Sequence, residues 1–558
     1  MAYKWIALSN TTMAMLLATI DASIMLIAMP DVFRGIRLDP LQPGNSFYLL
    51  WMILGFLVVS SVLVVSLGSL GDMYGRVRMY NLGFVVYTIA SLLLALDWMH
   101  GRAGADYLIG FRIVQGIGAA FLLANTGAIL TDAFPVTQRG LALGISNVVG
   151  ISGQFIGLVL GGLLAPINWR LIFLVSVPPG IIGTIWSRRQ LREIGTRRKA
   201  RVDWIGNSTF CAGLVLLMIG VTYGIRPYGS SPMGWHSPLV LGCLAAGAGL
   251  LTAFVFVERH LEHPMFELSL FRIRAFTAGA LATFLSSISR GGLMFILIIW
   301  LQGIWLPQHG YSFESTPLHA AISMLPLTFG FLTAGPLAGF LSDRFGARPF
   351  ATAGMIGTAV AFILLERLPV DFSYPEFAAL LALMGLSMGC FASPNRAAVM
   401  NSLPPQHRGA GGGMNQTFQN SAQVLSIGIF FTLMIVGLSA TLPHTLAAGL
   451  NAHGVPESTA RHVADLPPVS VLFAAFLGYN PVQTLVGSRV LAHVSSANAD
   501  TLTGRSFFPH LIAGPFRSGL HAAFLFAIVA CLIAAAASWT RGERYAHSAD
   551  PETLGLAD

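Results

Sequence analysis

Gly68-Ser69-Leu70-Gly71-Asp72-Met73-Tyr74-Gly75-Arg76-Val77-Arg78 and Gly339-Phe340-Leu341-Ser342-Asp343-Arg344-Phe345-Gly346-Ala347-Arg348 are two versions of one pattern. Gly68, Asp72 and Gly75 recur after 271 residues as Gly339, Asp343 and Gly346, and each set closes a long apolar run. The glycines allow a tight turn and close helix approach, Asp72 can meet a helix N-terminus, and Arg76 can meet a carboxylate. A charged turn of this kind, occurring twice at a fixed distance, divides the chain into two related halves.

Working outward from these turns, the chain is apolar almost throughout. Hydrophobic residues make up 54% and charged residues 10% of 558 positions, a balance that soluble domains do not sustain. Runs of about 20 residues, enough to cross roughly 30 Å of hydrocarbon, fall near 8–29, 46–67, 79–97, 107–131, 140–165, 170–187, 204–224, 237–257, 275–302, 318–341, 350–368, 374–394, 410–437 and 516–539. These fourteen spans predict an all-α polytopic membrane protein. The 271-residue offset lays the first span on the ninth. The chain therefore divides into a six-helix bundle over 1–187, a basic linker with two inserted helices over 188–274, and a second six-helix bundle over 275–558.

An even number of spans places both termini on one side. Basic residues crowd into segments such as 188–192 and 197–201, and the positive-inside rule assigns that side to the cytoplasm. The net charge of +8 is thus juxtamembrane charge and not a nucleic-acid surface. Segment 438–515 is unlike a short loop. It contains the apolar stretch 471–477, too short to span, and is expected to rest on the membrane or cap the bundle, with a plain tether as the alternative. Cys211, Cys243, Cys390 and Cys531 lie in apolar runs without metal-ligand spacing and read as packing residues.

Charges inside the spans carry the chemistry. A carboxylate in mid-membrane costs roughly 2.5–3.5 kcal/mol on insertion scales, so Asp21 faces a wet interior and works there. Helical rise sets Asp21 roughly 13 Å from the end of its span and Arg112 about 8–10 Å into the fourth, at a shared level. Asp21 is the expected proton carrier, with Arg112 and Gln115, one turn on, tuning it; a permanently ionised structural pair is the alternative. Arg290, in the ninth span, leans the cavity positive and favours neutral or anionic lipophiles, unless it only bonds helix carbonyls. Phe284, Met294, Phe295, Trp300 and Gln302 are the candidate cavity wall. Gly153, Gly157 and Gly161 recur every fourth residue, a smooth stripe for a neighbouring helix.

These motifs resemble the major facilitator superfamily, and the inserted central pair resembles its fourteen-span drug:proton antiporter family. Asp21-Ala22-Ser23-Ile24 with Ala28-Met29-Pro30 resembles the first-helix motif, with Ser23 for Thr and Leu26 for Asn. Arg112-Ile113-Val114-Gln115-Gly116 resembles the fourth-helix motif tied to proton movement. Gly153-Gln154-Phe155-Ile156-Gly157-Leu158-Val159-Leu160-Gly161-Gly162 resembles the fifth-helix antiporter motif, with Leu158 for its proline.

The resemblance implies a gating latch at Gly68, Asp72, Gly75, Arg76, Gly339, Asp343, Gly346 and Arg348. It also implies alternating access and proton-coupled efflux of lipophilic drugs across a bacterial cytoplasmic membrane. The expected partners are a lipophilic small molecule, protons and membrane lipids, with the chain as a monomer and with no nucleic acid, cofactor or metal. A proton-coupled importer of the same fold is one rival reading. A non-transporting receptor or membrane enzyme is another, and would need a polar catalytic cluster or a soluble domain.

Overall fold

A computed structural model describes residues 3–39, 42, 44–135, 138–194, 203–224, 228–229, 233–261, 264, 266–404, 408–478, 480 and 482–541, apart from a few side chains within helices, Asp343 among them. Among the described residues, fourteen helices are long and apolar enough to cross a membrane. In lipid a backbone has no water to bond, so its polar groups must be satisfied within each segment, and a helix does this.

The first set comprises α1 (Tyr3–Gly35), α2 (Asn45–Tyr74), α3 (Arg76–Ala95), α4 (Gly101–Ala133), α5 (Arg139–Leu164) and a sixth span split into α6 (Leu171–Leu174) and α7 (Val177–Gln190). Pro178 and Pro179 open α7, because proline lacks the N–H that would continue the preceding turn. The inserted pair is α8 (Trp204–Gly224) and α9 (Pro238–His260).

In the second set, α10 (Arg274–Trp300) runs through a π-helical turn, Leu301–Trp305, into α11 (Leu306–Gln308). A tenth span follows, broken at Met324 into α12 (Thr316–Ser323) and α13 (Leu325–Phe345), then α14 (Ala347–Arg367), α15 (Tyr374–Asn401) and α16 (Arg408–Ser439). Between α16 and the last span lie α17 (Leu442–Ala452), α18 (Glu457–Ala464), α19 (Pro468–Phe476), α20 (Val482–Val486), α21 (Ser488–Leu491) and α22 (Ser496–Thr503). The last span is α23 (Phe507–Trp539).

The two sets share backbone detail as well as sequence. Gly75 and Gly346, at the turns α2–α3 and α13–α14, have φ of 110° and 87°, a region that L side chains rarely enter. Gly83 and Gly354, also 271 residues apart, each press a helix onto its neighbour's backbone. A methyl at Gly83 would lie 3.0 Å from the Gly118 carbonyl, and one at Gly354 would lie 2.7 Å from that of Ser387. Thus α3 meets α4 as α14 meets α15.

At the end of the bundle that carries Gly35, the two sets close on each other. Gln302 Nε2 donates to the Ile27 carbonyl at 3.3 Å, Gly162 of α5 lies against the backbone of Leu318 in α12, and Arg34 is 3.8 Å from Glu314. The Glu314 carboxyl is held below its usual range, first by a backbone N–H bond. The inserted pair sits on the seam: α8 packs on both α2 and α16, with Ser66 hydrogen-bonded to Asn207 and Val221 filling the space beside Gly428.

The segment before α23 caps this same end. All nine residues of α19 are buried, Phe473 stacks on Phe431 of α16 with centroids 4.9 Å apart, and Gly303 of the π-helical turn admits the α19 backbone at Phe476. A helix buried on every side is neither a surface-resting amphipath nor a tether, so α19 caps the bundle, whereas α21 has no buried residue and α22 buries only Leu502.

The glycine stripe of α5 runs along α1, on which Asp21 lies. A side chain at Gly153 would come 3.2 Å from the Leu16 carbonyl, one at Gly157 2.9 Å from Ile20 Cα, and one at Gly161 2.9 Å from the Ile24 carbonyl. A Gly157→Leu variant must push the helices apart, a strain of about 1–3 kcal/mol or more. We expect it to melt several degrees below wild type in detergent, whereas Gly144→Leu, with open space around it, melts as wild type does. Equal melting of the two variants would contradict the close approach.

Candidate functional site

Gly116 and Gly118 set the level of the polar residues just before them. A methyl on Gly116 would lie 2.8 Å from the Phe56 carbonyl of α2, and one on Gly118 would lie 2.6 Å from the Tyr87 N of α3, so both glycines keep α4 flush with its neighbours. That close seat lets Arg112 reach across the first set. Its Nη1 lies 2.5 Å from Asp21 Oδ2 and donates to Gln115 Oε1 at 2.7 Å. Its Nε donates to the Met52 carbonyl at 3.3 Å, and its guanidinium sits over the Phe56 ring, 4.5 Å from the centroid. Gln115 Nε2 donates in turn to Ser91 Oγ at 2.9 Å.

Asp21, Arg112 and Gln115 have no exposed surface. Among the described residues, Asp21 Oδ1 and Arg112 Nη2 have no hydrogen-bond partner, so the pair is neutral as a whole yet incompletely satisfied. Each ion answers the other's desolvation. Ser91, Phe56 and Met52 were missed from sequence, because a serine, a phenylalanine and a backbone carbonyl inside apolar spans carry no local signal.

The turn after α2 holds a second cluster. Arg76 bonds Asp72 Oδ1 at 2.7 Å and both oxygens of Asp132, at the end of α4, at 2.7 Å. Glu193, beyond α7, accepts the Arg78 N–H at 2.9 Å and sits against Gly75. The turn is thus clasped to α4 and to the segment following α7. Gly68 faces Ala124 of α4, and Gly339 faces Ser393 of α15.

In the second set, Ala347 stands where Arg76 does and Leu403 where Asp132 does, so the corresponding clasp lacks both ions. Arg348 instead lies over the Trp539 ring at 4.0 Å. The side chain of Asp343 lies outside the described residues.

Most of the expected cavity wall lies elsewhere. Trp300, fully buried, donates from Nε1 to the Val370 carbonyl at 3.1 Å and packs among Phe372, Phe377 and Phe516. Phe295 meets Phe431 edge-on at 5.8 Å, Met294 is buried, and Gln302 bridges to α1. These four belong to packing and to the closed end in this conformation. Methionine and aromatic residues serve core and cavity alike, so composition does not separate the two. Phe284 is partly buried against the same core. Arg290 lies in the middle of α10 and is partly buried, and among the described residues it has no ion-pair partner. Among the described residues, no group of three or more His, Cys, Asp or Glu side chains is placed to hold a metal.

The sequence profile of the Major Facilitator Superfamily matches residues 11–427. The riboflavin transporter RibZ of Clostridioides difficile is 28% identical over 443 residues, covering 79% of this chain and 90% of that protein. Multidrug resistance protein 3 of Bacillus subtilis is 26% identical over 422 residues, covering 75% and 78%. Among solved structures, a bacterial homolog to the human lysosomal transporter Spinster, inward-facing and unoccupied, superposes with a TM-score of 0.58 at 17% identity, covering 96% and 97% of the two chains. That likeness is one of fold.

The buried pair is asymmetric in a measurable way. A carboxylate left alone can shed its charge by binding a proton, but a guanidinium cannot. Asp21→Leu should therefore cost on the order of 3–5 kcal/mol, the penalty of a stranded buried ion, and Arg112→Leu distinctly less. Thermal unfolding of the two purified variants at neutral pH checks this, and equal losses would argue against a directly paired charge.

Proposed function

Because the chain belongs to the Major Facilitator Superfamily, a family of membrane transporters, we propose that it exports lipophilic small molecules from a bacterial cytoplasm in exchange for protons. The observation that carries this reading is the fully buried Asp21–Arg112 pair, an ionisable carboxylate held inside the hydrocarbon by one guanidinium. Protonating Asp21 cancels the ion pair and leaves Arg112 to Gln115, the Met52 carbonyl and the Phe56 ring. The α1–α4 contact thereby loosens. Because α1 also rides on the glycine stripe of α5, a change at Asp21 is transmitted to a smooth helix interface able to slide.

In this reading the units over 1–187 and 275–558 are two bundles that rock about the seam occupied by the inserted pair. The contacts Gln302–Ile27, Gly162–Leu318 and Arg34–Glu314 part when the Gly35 end opens. The Arg76–Asp72–Asp132 clasp and the turn at Gly346 hold the opposite end. That opposite end is assigned to the cytoplasm, since basic residues concentrate in the segments there. Export is supported by relatives named for multidrug resistance. An importer of the same fold is the second reading, favoured by Leu158 in place of the motif proline and by the riboflavin transporter among the relatives.

Proteoliposomes with an imposed pH gradient test both. We expect a lipophilic dye to move against the proton flux. Asp21→Asn, which keeps an acceptor for Arg112, should lose gradient-driven movement by more than tenfold yet still catalyse downhill exchange. Full proton-coupled activity in that variant would remove Asp21 from the coupling role, and dye movement along the proton flux would select the importer.

A further inference from the structure

Among the described residues, the interior arginine of the first helix set meets a carboxylate, whereas those of the second set do not. Arg541, just past α23, turns inward and is 5% exposed. Its Nη2 donates to Asn395 Oδ1 on α15, while among the described residues Nε and Nη1 have no acceptor. Asn395 is itself fixed, with Nδ2 donating to Thr283 Oγ1 at 2.8 Å and to the Gly279 carbonyl at 3.3 Å. It therefore offers Arg541 only a neutral oxygen. Gly279 makes the space, since a methyl there would stand 3.4 Å from Arg541 Nη2. Burial without a counter-charge pushes the Arg541 pKa down to about 10.

Arg396 is the next residue along α15. On that helix Asn395 and Val399 face α10, whereas Ser393, at the same level, faces Gly335 and Gly339 of α13. At 3.6 residues per turn, Arg396 projects between those two neighbours. It lies inside the bundle but keeps part of its surface open, and among the described residues it has no hydrogen bond or ion pair. Seven residues beyond Thr283 on the same face of α10, about 10 Å along the axis, lies the unpaired Arg290.

We propose that Arg396 and Arg541, arranged about Asn395, bind the carboxylate, sulfonate or phosphate group of a transported organic anion, with Arg290 farther along its path. This rests on the transporter reading and supplies its substrate class. The guanidinium fork matches such groups with paired N–H donors, and a buried cation without a partner is costly until an anion answers it. The more open Arg396 meets the anion first, and the free Nε and Nη1 of Arg541 supply the remaining donors. The cluster sits five residues into α10, at the end opposite the closed one, where an exporter loads.

Binding of carboxyfluorescein and of the cation ethidium to the purified full-length protein in detergent, without a proton gradient, tests the site. We expect carboxyfluorescein to bind more tightly than ethidium and to weaken as salt is raised. Its affinity should fall at least tenfold in Arg396→Gln and recover largely in Arg396→Lys. Asn395→Asp, nearly isosteric, places a carboxylate inside the cluster and should also weaken the anionic dye while leaving the melting temperature equal or higher.

Preference for ethidium, or carboxyfluorescein binding unchanged in Arg396→Gln and Asn395→Asp, overturns the assignment. So does loss of co-purifying anionic phospholipid in these variants with dye binding intact, which would mark a lipid headgroup site. The two readings fail separately. Anion binding without gradient-driven flux defeats proton-coupled export alone, and proton-driven export of cations without anion binding defeats this site alone.

Discussion

A carboxylate and a guanidinium 2.5 Å apart with no exposed surface set the terms for the first half of this molecule. Either ion alone in hydrocarbon is costly, so α1 and α4 bring them to one level, and α2 and α3 supply the remaining contacts. Gly116 and Gly118 are part of that requirement, because any side chain there would lift α4 off its neighbours and withdraw Arg112 from Asp21. Packing and electrostatics are here one constraint. The glycines that let helices touch are also those that keep a buried charge neutral.

The second half repeats the backbone plan without the charge plan. Its turn at Gly346 has the conformation of the turn at Gly75, and α14 crosses α15 as α3 crosses α4. Yet Ala347 and Leu403 replace the ions of the clasp, and Arg290, Arg396 and Arg541 have no carboxylate partner among the described residues. Pseudosymmetry of fold thus coexists with an asymmetry of the interior: the buried arginine of the first half is paired with a carboxylate, and those of the second half are not.

The closed end shows a different economy. There α10 departs from α-helical geometry at Leu301–Trp305, and the short helix α19 enters the protein interior. Irregular or interrupted backbone is tolerated at such a place only where protein covers it, and π-turns occur often at functional positions. Gln302, Gly303 and Trp305 divide the tasks of that turn. Gln302 reaches the other half, Gly303 admits α19, and Trp305 stacks on Phe372 and bonds its carbonyl at 3.0 Å.

Composition and spacing alone determined the fourteen spans, because the thickness of hydrocarbon sets a length that any sequence must meet. They also determined the internal repeat and the prominence of Asp21 and Arg112, because ions inside apolar runs are too costly to be incidental. Only the tertiary structure decided that Asp132 and Glu193 complete the turn at Arg76, that Arg541 reaches Asn395, that α19 is buried, and that Trp300 and Phe295 lie in packing. A helix in lipid is apolar on every face, so its sequence does not say which face meets protein. Contacts among residues far apart along the chain are settled only when the helices assemble.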